Sequence, residues 1–163
     1  MGSVLSLSQL LSTVRRLRRQ GRTIAFTNGC FDLLHVGHLD VLERVKQKAD
    51  CLIVGLNSDS SVRRLKGQGR PLVPAGERAR LLAALKPVDY VILFSEETPL
   101  KLIRAIRPNL LAKGGDWRPD QIVGQKIVSS SGGRILVVPF RKNHSTSGIV
   151  RRIQRLRGEK KPS

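Results

Sequence analysis

At 163 residues, 40% of them apolar, the chain suits one domain with a single sizeable core and needs no disulfide or metal staple. Its two cysteines, Cys30 and Cys51, match no C-x-x-C spacing, which argues against a disulfide framework and a zinc module and points to a reducing, cytoplasmic setting. The net charge of +18 attracts polyanions whatever the fold, but aromatic residues at 4% are too few for a base-stacking platform, so no specific nucleic acid is expected as a partner.

The pattern along the chain alternates between two periods. Leu7, Leu10, Leu11, Val14 and Leu17 recur at helical spacing up to Gly21, predicting an N-terminal helix within residues 1–22 that packs on the domain to follow. TIAFTNG, from Thr23, is a short apolar run closed by turn residues and reads as the first strand. Leu39, Leu42 and Val45 return to helical spacing, and CLIVGLN from Cys51 is the second strand. Residues 58–74 are polar and broken by Gly and Pro, so an irregular connection is predicted there. A helix from Gly76, a strand DYVILFS from Asp89 and a helix with Pro99 in its first turn come next. NLLAKGG from Asn109 is the fourth strand, residues 118–133 a helix and RILVVPF from Arg134 the fifth strand. Residues 145–158 make a closing helix, and 158–163 a basic tail. No apolar run approaches the roughly 20 residues of a membrane span, so no membrane insertion is expected. Continuous apolar strands separated by helices predict an α/β fold: one Rossmann-like, doubly wound domain over residues 23–157, with a five-stranded parallel sheet and helices on both faces.

The polar clusters then fall on one rim. TNGCFDLLHVGH follows the first strand, NSD the second, KGGDW the fourth and RKNHSTS the fifth, all at strand carboxyl ends, where open α/β sheets bind ligands. Neither the G-x-G-x-x-G dinucleotide fingerprint nor the G-x-x-x-x-G-K-[ST] P-loop is present. Two helices nonetheless begin on this rim, near His38 and near Thr146, and helix N-termini hold phosphate through their free N–H groups and dipole. Gly37 lets phosphate oxygens approach the backbone between His35 and His38, and imidazoles donating to phosphate stabilise the charge that grows as a phosphoanhydride breaks. Zinc is a weaker use of the pair, since neither Cys30 nor His144 completes a typical ligand spacing, and two incidental surface histidines are a third reading. Taken alone, plain N-capping is the better account of Ser145, Thr146 and Ser147; beside the histidine turn on the same rim, a second anion-binding N-terminus becomes the more interesting reading. Lys66 lies where a cation can close over phosphates, and is equally one solvated charge among 30. Gly114 and Gly115 permit close approach of a flat base or ribose beside Lys113 and Asp116.

GCFDLLHVGH at 29–38 resembles the G-x-F-D-x-x-H-x-G-H signature of the cytidylyltransferase-like nucleotidyltransferase superfamily, and HSTS at 144–147 resembles its second signature. NSD, RLKG, RP, ER and KGGDW stand between them in the order expected of that family, so the resemblance runs from about Thr23 to Ile153. Within it the chain looks most like the D-glycero-β-D-manno-heptose 1-phosphate adenylyltransferases, which supply ADP-heptose for the lipopolysaccharide inner core. Many of these are fused to a sugar kinase, and the expectation here is the stand-alone form.

The resemblance implies that heptose 1-phosphate attacks the α-phosphate of ATP, giving ADP-heptose and pyrophosphate. Mg2+ would ride on the ATP phosphates, and a homodimer is the usual assembly. His35, His38 and Lys66 would be catalytic, the histidines on the triphosphate and Lys66 on the α-phosphate or the incoming sugar phosphate. Thr27, Asn28, Gly29, Cys30, Phe31 and Gly37 would form the nucleotide turn, and Lys113, Gly114 and Asp116 the nucleoside side. Ser145, Thr146 and Ser147 would grip the departing β,γ-phosphates. Asp32, Asn57, Asp59, Arg70 and Arg78 would face the substrate, with Asp32 also the candidate contact to Mg2+. Gly115 and Phe140 stand where glycerol-3-phosphate cytidylyltransferases carry an acidic residue and an arginine, which favours ATP over the alternative of CTP with glycerol 3-phosphate. A basic nucleic-acid-binding protein is the remote alternative, opposed by the retained histidines and hydroxyls.

Overall fold

The computed structural model describes residues 1–115, 117–139 and 145–158. The elements in chain order are β1 (Ser3–Val4), α1 (Leu7–Arg19), β2 (Ile24–Gly29), α2 (Val36–Lys46), β3 (Cys51–Asn57), α3 (Asp59–Lys66), α4 (Ala75–Ala84) and β4 (Tyr90–Phe94). Then come α5 (Leu100–Ile106), β5 (Leu110–Gly114), a 3-10 turn at Pro119–Gln121, α6 (Gln125–Ser130), β6 (Arg134–Val138) and α7 (Thr146–Gly158). All strand pairs are parallel, in the order β1-β4-β3-β2-β5-β6.

The sheet has six strands, not five. The added one is β1, whose two exposed residues pair with Tyr90 and Val91 at the sheet edge. No hydrophobic run marks it, because its place depends on the partner strand. Gly2 and Ser3 donate to Ala83 and Asp89 carbonyls at 2.8 and 3.0 Å, which anchors the edge before α1 begins. Ser6 starts α1 through a reciprocal cap with Gln9, each side chain accepting from the other's backbone N–H.

Residues 58–74 are a connection only in part, since α3 occupies their first half. The Ser58 hydroxyl accepts from Ser61 N–H at 3.3 Å, Asp59 lies at the positive end of the helix, and Arg63, Arg64 and Lys66 lie at the negative end. Val62 is buried beneath it, and the helix stops at Gly67, whose φ of +88° suits glycine. Gly124, at φ +90°, breaks the single helix expected over 118–133 into a 3-10 turn and α6.

Because side chains alternate along a strand, each strand supplies both faces of the sheet. Ala25, Leu52, Val54, Leu56, Val91 and Ala112 pack under α2 and α4, through Val41, Leu42, Val45, Ala79 and Leu82. Ile24, Phe26, Ile53, Ile92 and Leu111 pack under α1, α5 and α6, through Leu10, Val14, Leu102, Ile103, Ile106 and Val128. Helices therefore cover both faces, and the polar residues are left to the strand ends. Among the described residues no helix is long and apolar enough to cross a membrane.

Candidate functional site

The chain runs from β2 to β3 on one side of the sheet and reaches β5 on the other side of β2. That reversal opens a crevice at the carboxyl ends of β2 and β5, as expected for an open parallel sheet. A cavity of about 140 Å³ lies there. Its walls are Thr27, Asn28 and Gly29 at the end of β2, Cys30, Phe31 and Asp32 in the turn, and His38 and Val41 on α2. Lys66 closes it from the end of α3, Lys113 and Gly114 from β5, and Thr146 from α7. The main-chain turn is sharp: Phe31 takes φ +45°, a left-handed conformation that costs a bulky residue of order 1 kcal/mol. This sends its ring back over Gly29, where a Cβ would lie 3.1 Å from the ring edge, and sets it 5.2 Å from the His38 ring.

His35 is the N-cap residue of α2, and Gly37 is buried in its first turn. The His35 and His38 rings stack with centroids 3.9 Å apart and 25° between planes. Burial, followed by the charges of His35 and Lys66, pushes the His38 pKa down from 6.5 to about 4. His38 is therefore a neutral imidazole near pH 7, and its buried Nδ1 has no hydrogen-bond partner among the described residues. Lys113 reaches Asn28 Oδ1 at 3.1 Å, and its ammonium lies 5.7 Å from the centre of the Trp117 ring. Burial lowers the Lys113 pKa and raises that of Cys30, so Cys30 is a thiol and no activated nucleophile.

The residues expected to face the substrate divide differently. Arg78 is 1% exposed and does not reach the cavity. Its guanidinium donates to the carbonyls of Val73 (2.8 Å), Cys30 (2.5 Å) and Asn57 (3.0 Å) and pairs with Asp59 at 2.6 Å. Asn57 is likewise buried and donates to Ser61 Oγ at 2.9 Å. Arg78, Asn57 and Asp59 thus brace the rim through one another and the backbone, and none of the three lines the cavity. Asp32 borders the cavity, yet its Oδ1 accepts from Leu72 and Val73 N–H at 2.7 and 3.1 Å and its Oδ2 pairs with Arg70 at 2.6 Å. A carboxylate so engaged does not fit a Mg2+ ligand, and no three His, Cys, Asp or Glu residues converge on a metal position among the described residues. Arg70 remains beside the site, and its buried Nε has no hydrogen-bond partner among the described residues.

Of the hydroxyl cluster, Thr146 reaches the cavity and donates to the Leu33 carbonyl at 3.4 Å. Ser145 accepts from Gly148 N–H at 3.1 Å and caps α7, while Ser147 is exposed. Ser145 also borders a second recess of about 340 Å³ with Gly148, Arg151, Arg152 and Arg155. Those arginines were legible only as a basic run; their signal is RRIQR one turn behind the hydroxyls. Asp116, Phe140 and His144 lie outside the described residues.

Residues 26–152 match the family model described as cytidylyltransferase-like. A protein named Bifunctional protein HldE from Geobacter metallireducens is 49% identical over 154 residues, covering 94% of this chain and 31% of that protein. Its namesake in Syntrophotalea carbinolica is 52% identical over 136 residues, covering 83% and 28% respectively. The chain thus spans about a third of the length of the curated relatives it matches. Among solved structures, a lipopolysaccharide core biosynthesis protein from Thermoplasma volcanium is similar at TM-score 0.61 and 29% identity, over 76% of this chain and 100% of that one. A pantoate–β-alanine ligase from Francisella tularensis reaches TM-score 0.63 at 16% identity over 95% of this chain and 80% of its own, a likeness of fold alone.

Two outcomes follow from this geometry. Arg78→Ala leaves three carbonyls and a carboxylate without their buried cation, so urea unfolding should show a loss of about 3–5 kcal/mol; a loss within experimental error would contradict the brace. The depressed His38 pKa means that the unfolded chain binds this proton more readily between about 4 and 6.5. Stability should therefore fall as pH drops through that window and rise with pH across it. His38→Gln should flatten the slope, and an unchanged slope would show that His38 is not held neutral.

Proposed function

Because the chain belongs to the cytidylyltransferase-like family, we propose that it transfers the adenylyl group of ATP to D-glycero-β-D-manno-heptose 1-phosphate. The names of its relatives and the sequence resemblance support this reading. The observation that carries it is the stacked His35–His38 pair at the N-terminus of α2, set beside the cavity that Lys66, Lys113 and Thr146 close.

In this reading a phosphate oxygen of the sugar phosphate attacks the α-phosphorus of ATP. The bond to the β-phosphate oxygen breaks, and pyrophosphate leaves without a covalent enzyme intermediate. Neutral His38 donates a hydrogen bond to a phosphoryl oxygen, where charge accumulates as the anhydride opens. Lys66 supplies positive charge from the end of α3. The amides of the first turn of α2, with its dipole, add to both, and Thr146 brings the start of α7 toward the same phosphates. Lys113 and Asn28 border the nucleoside side, and Arg70, whose Nε has no hydrogen-bond partner among the described residues, would meet the sugar phosphate. Mg2+ enters as part of the nucleotide substrate, carried on its phosphates. The rate then derives from positioning and charge stabilisation.

Pyrophosphate release measured with ATP or CTP, against heptose 1-phosphate or glycerol 3-phosphate, tests the assignment. ATP with heptose 1-phosphate should give the highest kcat/KM; a clear preference for CTP with glycerol 3-phosphate would overturn the substrate assignment. His38→Ala should lower kcat by about 10² or more while the fold persists. Turnover near wild type in that variant would remove the mechanism.

A further inference from the structure

Charge is divided unequally between the two faces of the sheet. Helices α1, α5 and α6, which cover one face, carry seven Arg and Lys residues, four on α1, two on α5 and one on α6, and no Asp or Glu. Helices α2 and α4 on the opposite face interleave their cations with Asp40, Glu43 and Glu77. None of Arg15, Arg16, Arg18, Arg19 and Arg104 takes part in an ion pair among the described residues.

The cations of α1 and α5 are held together. Arg18 donates to the carbonyls of Ile106 and Arg107 at the end of α5, which fixes the two helices side by side. Beside this tie, Ser12, Arg15, Arg18 and Arg19 border a recess of about 560 Å³. Basic α7 also lacks acids among its residues, but its first turn reaches the cavity, so under the proposed function its arginines have a nearer partner in the polyphosphate.

We propose that the α1–α5–α6 face docks on the surface of an anionic phospholipid bilayer. Three helices laid side by side, with axes about 8–10 Å apart, display their cations over a broad field and not along one groove. A guanidinium fork matches a headgroup phosphate, and cations near such a surface are drawn to its negative potential. Ser8, Ser12, Arg15 and Arg19 form an outward polar stripe on α1, with Leu7 exposed at the start of the helix, so the contact is chiefly adsorption at the headgroups. A second copy meeting this face with its own would bring like charges together. A nucleic acid would find no exposed aromatic side chain to stack on along these helices.

Sedimentation of the full chain with vesicles tests the docking. The protein should bind phosphatidylcholine–phosphatidylglycerol vesicles at low salt, leave them as salt is raised, and ignore pure phosphatidylcholine. R15E/R19E/R104E should weaken binding at least about tenfold, whereas R44E/K48E/R80E, an equal change of charge on the opposite face, should change it by less than about twofold. Pyrophosphate release in solution should be unaffected by either set. Equal losses from the two sets, equal binding to neutral vesicles, or tighter binding of a DNA duplex through the same arginines would overturn the proposal.

Discussion

The guanidinium of Arg78 sits where three segments meet: the turn after β2, the end of β3 and the approach to α4. It joins them through the carbonyls of Cys30, Asn57 and Val73, and Asp59 balances its charge. Asp32 performs the converse operation a few residues away. Its carboxylate gathers Arg70 and the amides of Leu72 and Val73, so a buried anion and a buried cation hold the same loop from opposite ends. These brackets set the height of the turn that carries Cys30 and Phe31, and through Phe31 the position of His38. Breaking either leaves unpaired charge in a poorly solvated place, which is costly.

Within this frame the electrostatics of the cavity acquire a direction. Lys66 and Lys113 are cationic walls, and His38 is kept neutral between them by burial and by its neighbours' charges. A site assembled this way is short of negative charge. A polyphosphate supplies it, and the donors need little rearrangement when it arrives, which is the advantage of preorganised charge over water. The topology places this deficit where β2 parts from β5, so the crevice follows from the strand order.

Much of this was legible in the sequence, for identifiable reasons. The runs IAFTNG, CLIVGLN, YVILF, LLAKG and RILVV are strands because their apolar side chains serve both faces, and such runs stand out without knowledge of partners. The histidine turn and the hydroxyl cluster are visible as polar residues directly behind such runs. What escaped depends on tertiary partners. Ser3–Val4 is a strand only because β4 offers an edge, and α3 hides in a stretch whose Gly and Pro follow the helix instead of breaking it. Arg78 and Asn57 read as ligand contacts because their chemistry is right. Their actual partners are mostly backbone carbonyls and short side chains that carry no sequence mark. Of Ser145, Thr146 and Ser147, helical geometry brings only the middle residue to the cavity, a distinction of about 100° per residue that spacing alone does not resolve.

Histidine-selective 15N NMR of the full chain, titrated with a non-hydrolysable ATP analogue, tests the central claim most directly. The account predicts that the His35 and His38 imidazole signals both shift on binding, and that the pKa of His38 rises from about 4 as the phosphates bring negative charge beside its buried ring. Saturable binding that leaves both imidazoles unperturbed would place the nucleotide elsewhere and contradict it.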